Sequence, residues 1–568
     1  MKKVGIVMTL VVIFLTSVSF AQVRNFTKVW DGGPGAAGTD PPNLIRAWGV
    51  VAGFDIDQDG HMEFTTYDAT AARIHVWESN RLGDNEYNVV WSKDKRDAAG
   101  ESILFGTERS ILITDLDDDG DLELTMIWDA FPTDTTVGFP ALEVYEHDPT
   151  SGEFLPQEAT IVYDPPRDEN GLIRMEFQSK YADVDADGVN EIILTYRGRG
   201  NKVLSIISLA NKDFSAPEWQ VEFTDGLGDI GGEGERVHSM TIGDIDNNGM
   251  LDMVVQLDGT KSAIVVYSAT GPDTYTRTAV FDSTVYHADY NGSAAMLAIA
   301  DFDEDGNKEV YLPARNGGLV WVVNNITSAA TAFEAANFNL ISDIPNDVEG
   351  IAAEGLELRG GVIGDADWDG RPDLYVTARD PFEAVYDFEW LGGVGGDVTD
   401  PDNYQITKLY NDDNTDGVTV GMVALAIADI DGDGFQHQEV VFTTGNGNEG
   451  VKPGIFVIEY DSDFGTSVSE LPTFIPESFD LQQNYPNPFN PSTTITYDLR
   501  QSGDVKLKIY NLLGEEIKTL VNKFKGIGRH AVVWDGTNNN GSSIATGVYF
   551  YTLEIANLKE SKKMLFLK

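Results

Sequence analysis

The stretch TDLDDDGDLELTM, Thr114 to Met126, sets carboxylates at Asp115, Asp117, Asp119, Asp121 and Glu123 around a single glycine. Such a run repels itself, since two carboxylates about 4 Å apart oppose each other by about 4 kcal/mol at an effective dielectric of about 20. A cation is the natural remedy. The helix–loop–helix calcium loop starts in the same way, with oxygen ligands at positions 1, 3 and 5, glycine at 6 and a carbonyl at 7, but it also requires a bidentate Glu at position 12. Here position 12 is Met126, inside the strand-like run LELTMI, and the acid falls at position 9, Glu123. The stretch therefore reads as a cation loop built into a β-hairpin.

The loop recurs. DIDQDGHME starts at Asp55, DVDADGVNE at Asp183, DIDNNGMLD at Asp244, DFDEDGNKE at Asp301, DADWDGRPD at Asp365 and DIDGDGFQHQE at Asp429. Successive starts lie 60, 68, 61, 57, 64 and 64 residues apart, a period that marks repeated supersecondary units. Position 12 in the other copies is Thr66, Leu194, Val255, Leu312, Val376 or Val440, none of them acidic. The expected ligands are Asp55, Asp57, Asp59 and Glu63; Asp115, Asp117, Asp119 and Glu123; Asp183, Asp185, Asp187 and Glu191; and Asp244, Asp246, Asn248 and Asp252. The remaining sets are Asp301, Asp303, Asp305 and Glu309; Asp365, Asp367, Asp369 and Asp373; and Asp429, Asp431, Asp433 and Glu439. In the fourth copy Asn248 removes a charge and keeps an oxygen. In the seventh, two extra residues put His437 at position 9, and Glu439 is available to replace it. Hard oxygen donors in this number favour Ca2+ over Mg2+, which prefers fewer protein ligands and keeps its waters.

Two apolar strands follow each loop and its own strand. One set includes IHVWE from Ile74, LEVYEH from Leu142 and IFVIEY from Ile455; the other includes NVVWS from Asn88, TIVYD from Thr160 and TKLYN from Thr407. The second set has only six members after the loops, and its seventh, TKVWD at Thr27, precedes the first loop. Each repeat thus has four strands, the last lacks its fourth, and the spare lies at the N-terminus. The expected fold is all-β: a seven-bladed β-propeller closed by the N-terminal strand, which pairs edges otherwise left exposed.

These residues resemble the FG-GAP/VCBS repeats of integrin-α-type propellers, from about Val23 to Asp463. The resemblance implies calcium-binding blades and a protein serving as an adhesion module or glycan binder, or less often as the scaffold of a polysaccharide lyase.

The two ends differ in texture. MKKVGIVMTLVVIFLTSVSFA has the basic start, apolar centre and small-x-small close of a secretory signal peptide, residues 1–21. No later stretch carries the roughly 18 apolar residues that span a bilayer. The net charge is −53 and there is no cysteine, so an exported chain must be stabilised without disulfides. From Phe479 onward 11 Lys/Arg face 8 Asp/Glu, a net of +3 that leaves −56 to the rest. Nucleic acid and anionic membranes are poor partners for such a surface. The charge shift and SVSELPTFIPESFD, Ser467 to Asp480, divide the chain into a propeller at 22–466, a linker at 467–480 and a terminal domain at 481–568.

That last segment has short alternating strands with Asn/Gly turns, the pattern of a small Ig-like β-sandwich. Its YPNPFNPST (Tyr485 to Thr493), WDGTNNNGSSIATGVYFY and basic-apolar end closely resemble the type A C-terminal sorting domain of type IX secretion cargo. The resemblance implies a Gram-negative bacterium of the Bacteroidota kind, recognition by the type IX machinery, and a passenger released or tied to the cell surface.

No catalytic signature stands out. The seven histidines form no H-E-x-x-H, there is no G-x-S-x-G elbow, and no carboxylate pair can be separated from the calcium loops. One constellation remains. Arg109, Arg236 and Arg359 precede or open first strands, and Arg73, Arg197, Arg315 and Arg379 follow second strands. If the calcium loops join strands one and two, these arginines fall at the opposite end. There they could grip an anionic glycan or a carboxylate, or pair with local acids and lock neighbouring blades. The expected function is a calcium-binding surface or secreted binding module, with a polysaccharide lyase or hydrolase as the alternative.

Overall fold

The computed structural model describes the strands and most of the acidic loops between residues 26 and 460, and the strands of 480–566. Residues 1–25 and 461–479, and connections such as 32–46, 95–110, 128–141, 165–178 and 412–421, lie outside the described residues, and with them the signal peptide and the linker. The fold is all-β. Among the described residues no helix is long and apolar enough to cross a membrane.

Seven four-stranded antiparallel sheets follow one another. Sheet I comprises Ala47–Phe54, Glu63–Asp68, Arg73–Ser79 and Tyr87–Asp94, hydrogen-bonded in chain order. Sheets II to VI repeat this order over 111–163, 180–225, 236–282, 298–343 and 357–411. Sheet VII has three strands from its own repeat, Met422–Ala428, Glu439–Thr444 and Ile455–Tyr460. Its fourth strand is Phe26–Asp31, paired antiparallel with Ile455–Tyr460 through Phe26↔Tyr460 to Asp31↔Phe456. The spare strand at Thr27 thus sits where the repeat offset places it.

The strand sequences follow from their surroundings. Second and third strands such as EIILT (Glu191–Thr195) and LSIISL (Leu204–Leu209) are buried along their whole length, because sheets cover both of their faces. Fourth strands such as Phe338–Asp343 mix buried and more exposed positions, as edge strands do. Between successive sheets lies an apolar layer. Phe54, Tyr67 and Val76 of sheet I meet Leu124, Met126 and Tyr145 of sheet II. Equivalent layers join II to III, III to IV, IV to V, V to VI and VI to VII. A seventh joins Ile430, Val441, Ile455 and Val457 of sheet VII to Phe64, Trp77 and Tyr87 of sheet I. Gly53 lies on this last seam with φ +81°, and a Cβ there would come within 2.6 Å of the Ala428 Cβ.

The C-terminal segment forms a sandwich of a three-stranded sheet (Asp480–Leu481, Thr493–Leu499, Gly528–Trp534) and a four-stranded one (Gly503–Tyr510, Glu516–Lys525, Gly547–Ile555, Leu558–Phe566). Its core gathers Ile495, Tyr497, Leu507, Trp534, Tyr551 and Phe566.

Candidate metal centres

Each acidic loop joins the first and second strands of its sheet, and in sheets I to V the same backbone frame recurs. The position-1 aspartate receives two N–H bonds, from positions 5 and 6: Asp55 from Asp59 and Gly60, both 3.1 Å. Asp183, Asp244 and Asp301 do the same within 2.8–3.1 Å. The position-5 side chain receives the N–H of position 7 at 2.7–2.9 Å, through Asp59, Asp119, Asp187, Asn248 and Asp305. Position 4 takes a left-handed conformation, with φ 53–61° at Gln58, Asp118, Ala186, Asn247 and Glu304. Position 6 lies near φ +90° at Gly60, Gly120, Gly188, Gly249 and Gly306, where a Cβ would meet nothing within 4 Å. Glycine is required there by conformation alone.

The position-9 acid opens the second strand and is buried: Glu63, Glu123, Asp252 and Glu439 are 0% exposed. One of its oxygens accepts the N–H of position 2. The pairs are Ile56–Glu63 at 2.8 Å, Leu116–Glu123 at 2.9 Å, Val184–Glu191 at 2.7 Å, Ile245–Asp252 at 3.3 Å, Phe302–Glu309 at 3.3 Å and Ile430–Glu439 at 2.7 Å. Glu439 thus takes the position-9 place despite the two inserted residues. Sheet VI departs from the scheme: Tyr375 stands between Asp373 and position 2, its hydroxyl donating to Asp373 and accepting the N–H of Ala366.

Several of these acids leave their other oxygen without a donor. Glu63 Oε1, Glu123 Oε1 and Glu439 Oε1 are buried with no hydrogen-bond partner, as are Asp115 Oδ1, Asp117 Oδ1 and Asp246 Oδ1. Oxygens of Asp55, Asp57, Asp59 and Glu63 lie within 4.8 Å of one another, as do those of Asp115, Asp117, Asp119 and Glu123, of Asp183, Asp185, Asp187 and Glu191, and of Asp244, Asp246 and Asp252. A buried carboxylate oxygen without a donor costs several kcal/mol. A divalent cation among these oxygens removes that cost, so the residues present fit Ca2+.

Without an ion, burial and the neighbouring carboxylates push Glu63 up to about 10, and Glu123, Glu191 and Glu309 up to about 8. The N–H from position 2 opposes both effects without cancelling them. Asp252 rises only to about 6, because the Ser268 hydroxyl also donates to it.

Neighbouring loops are fastened to each other. The Gln58 amide donates to Asp121, Lys212 bridges Asp118 (3.0 Å) and the Gly188 carbonyl (3.1 Å), and Asn247 donates to the Gly306 carbonyl at 2.9 Å. Backbone N–H groups of the following repeat also reach back, Asp273 to Asp185 and Ala329 to Asp246. None of these clasps is visible in the loop motif itself. Asp369 and Asp433 lie outside the described residues.

At the other end of the sheets, Arg315 binds Asp258 at 2.8 Å and Glu357 at 2.9 Å, tying sheets IV, V and VI, and Arg359 binds Glu357 at 2.7 Å. Arg73 is likewise engaged. Arg109 and Arg197 lie outside the described residues, as do the side chains of Arg236 and Arg379. Of the described arginines, Arg315 joins sheets, while Arg359 pairs with Glu357 of its own strand.

The FlgD Ig-like domain family matches residues 489–559, so the chain carries a C-terminal Ig-like domain. No curated protein matches the chain. Among solved structures it is similar to PorZ, an essential surface component of the type-IX secretion system of Porphyromonas gingivalis, at 13% identity and a TM-score of 0.36, over 94% of this chain and 61% of that one. The chain thus spans less than two thirds of PorZ. It is also similar to an exo-β-1,3-galactanase of Phanerochaete chrysosporium, at 8% identity and a TM-score of 0.29 over 66% of this chain and 96% of that one. A glycoside hydrolase family 43 arabinoxylan arabinofuranohydrolase of Bacillus subtilis is similar at 9% identity and a TM-score of 0.25, over 80% and 94%.

Proposed function

We propose that the chain is an exported, calcium-stabilised seven-bladed β-propeller of the FG-GAP/VCBS kind, spanning 22–466, and that it acts outside the cell as a non-catalytic binding module for a glycan or surface protein. The seventh apolar layer carries the architectural part: an open row of seven sheets has six interfaces, whereas a ring has seven, and Ile430, Val441 and Val457 pack on Phe64 and Trp77. The strand Phe26–Asp31 supports the same closure, because it couples the start of the chain to the last sheet.

In this reading the position 1, 3, 5 and 9 side chains of each loop hold Ca2+, which neutralises their mutual repulsion and keeps the first hairpin of every blade closed. The ring then offers a rigid surface at its arginine-bearing end, where Arg315 and Arg359 are neutralised by Asp258 and Glu357, so recognition falls to the loops around them. The sequence YPNPFNPST and the Ig-like segment at 489–559 support type IX export.

The test is a glycan array with the calcium-loaded protein, followed by long incubation with each bound glycan. Binding without product release is expected. Release of unsaturated oligosaccharides from pectin-like substrates, abolished by Arg236→Ala, would replace the binding reading with a lyase.

A further inference from the structure

Antiparallel pairing places the residue directly across from each position-9 acid on the third strand, with side chains on the same face and Cβ atoms about 5 Å apart. In sheets III and IV that residue is a serine: Ser208 faces Glu191 and Ser268 faces Asp252. In sheet VI it is Glu389, held by Arg371 at 3.3 Å. In sheets I, II and VII it is a glutamate among other acids: Glu78 faces Glu63, Glu146 faces Glu123, and Glu459 faces Glu439.

Glu78 and Glu146 are half-buried and lie within electrostatic reach of the loops. Asp59, Asp57 and Asp55 act on Glu78, and Asp117, Asp119 and Asp121 act on Glu146. His61 acts on Glu78 with the opposite sign. The sites they face are also where a donorless oxygen of a fully buried glutamate, Glu63 Oε1 or Glu123 Oε1, joins the converging aspartates.

We propose that Glu78 and Glu146 are additional ligands of the first and second cation sites, and that these two sites bind Ca2+ more tightly than the fourth. Four loop side chains and one carbonyl supply about five oxygens, short of the six to eight that Ca2+ takes. A third-strand glutamate supplies the sixth, or in bidentate form a seventh, where sheet IV offers only Ser268. It also raises the donor charge. Sites I and II carry five carboxylates each, and site IV three with Asn248. Calcium affinity follows ligand charge and number, so sites I and II fill before site IV.

This inference rests on the calcium reading, and one titration separates the two. The chelator-stripped full chain is titrated with CaCl2 at pH 8 by calorimetry, beside Glu78→Gln, Glu146→Gln and the double variant, each checked by its melting curve in excess calcium. The wild type should show a tight class that includes sites I and II above a weaker class. Each single variant should move one site out of the tight class, about tenfold or more weaker, and the double variant should move two. In chelator the variants should melt no lower than wild type, because a repulsive charge has been removed. Wild-type binding with an unchanged isotherm in the double variant overturns the assignment and leaves the calcium loops standing. No calcium binding by the wild type overturns both.

Discussion

Chelation is expected to lower the melting temperature by about 10 °C or more, and by more at pH 8.5 than at pH 6. A site held at 100 times its dissociation constant adds about 2.7 kcal/mol, and several sites acting on one ring exceed the few kcal/mol needed for such a shift. The pH term follows from the raised carboxyls. Without an ion, Glu123, Glu191 and Glu309 sit near 8 and Glu63 near 10, against about 4.3 in an unfolded chain. A folded-state value above the unfolded one means that the native state holds extra protons, so stability falls as pH rises through that window. In chelator the melting temperature should therefore decline steadily from pH 6 to pH 8.5. In millimolar calcium the ion takes the place of the protons and the curve should be nearly flat. Scanning calorimetry over this pH range, with and without EDTA, measures both; equal curves in the two buffers contradict the metal assignment.

The second large effect concerns the seam between the first and last sheets. Gly53→Ala is expected to cost about 2–4 kcal/mol, part from an alanine at φ +81° and part from its Cβ meeting Ala428 at 2.6 Å. Gly393→Ala separates the two terms: its φ is +71° and a Cβ there meets nothing within 4 Å, so only the backbone cost of about 1–2 kcal/mol applies. Ala428→Gly in the Gly53→Ala background should recover the steric share. Denaturant melts of Gly53→Ala, Ala428→Gly and the double variant, with Gly393→Ala beside them, form the required cycle. If Gly53→Ala costs no more than Gly393→Ala, and Ala428→Gly rescues nothing, the first and seventh sheets do not touch in solution.

Much of the scaffold was legible in the sequence because its signals are local. A D-x-D-x-D-G run names its own turn geometry, and Met126 at position 12 followed by a strand excluded the helical calcium loop. The displaced TKVWD at Thr27 indicated which sheet would lack a strand, and its pairing with Ile455–Tyr460 fits that expectation. The substitution of Glu439 for position 9 was also within reach, since the acid had to be buried near Ile430 for the hairpin to close.

What stayed hidden depends on register and on sheet-to-sheet packing. Glu78 and Glu146 lie at different distances in sequence from Glu63 and Glu123, so no motif links them; only the ladder does. Tyr375 bridges Asp373 to the N–H of Ala366 from two residues away on the same strand, which a ligand pattern does not reveal. The arginines were found by position and pairing with local acids was expected, but the reach of Arg315 was not: it draws one acid from sheet IV and one from sheet VI, a geometry set by three sheets at once. The clasps between loops, such as Lys212 on Asp118, have the same origin.

The most direct measurement is the calcium content of the folded chain. Full-length protein equilibrated in millimolar calcium, then analysed by native mass spectrometry or elemental analysis, should hold roughly seven ions, one for each acidic loop. Asp→Asn replacement of position 1 in one loop should lower the count by one. A chain that is folded and carries no calcium under these conditions would contradict the account.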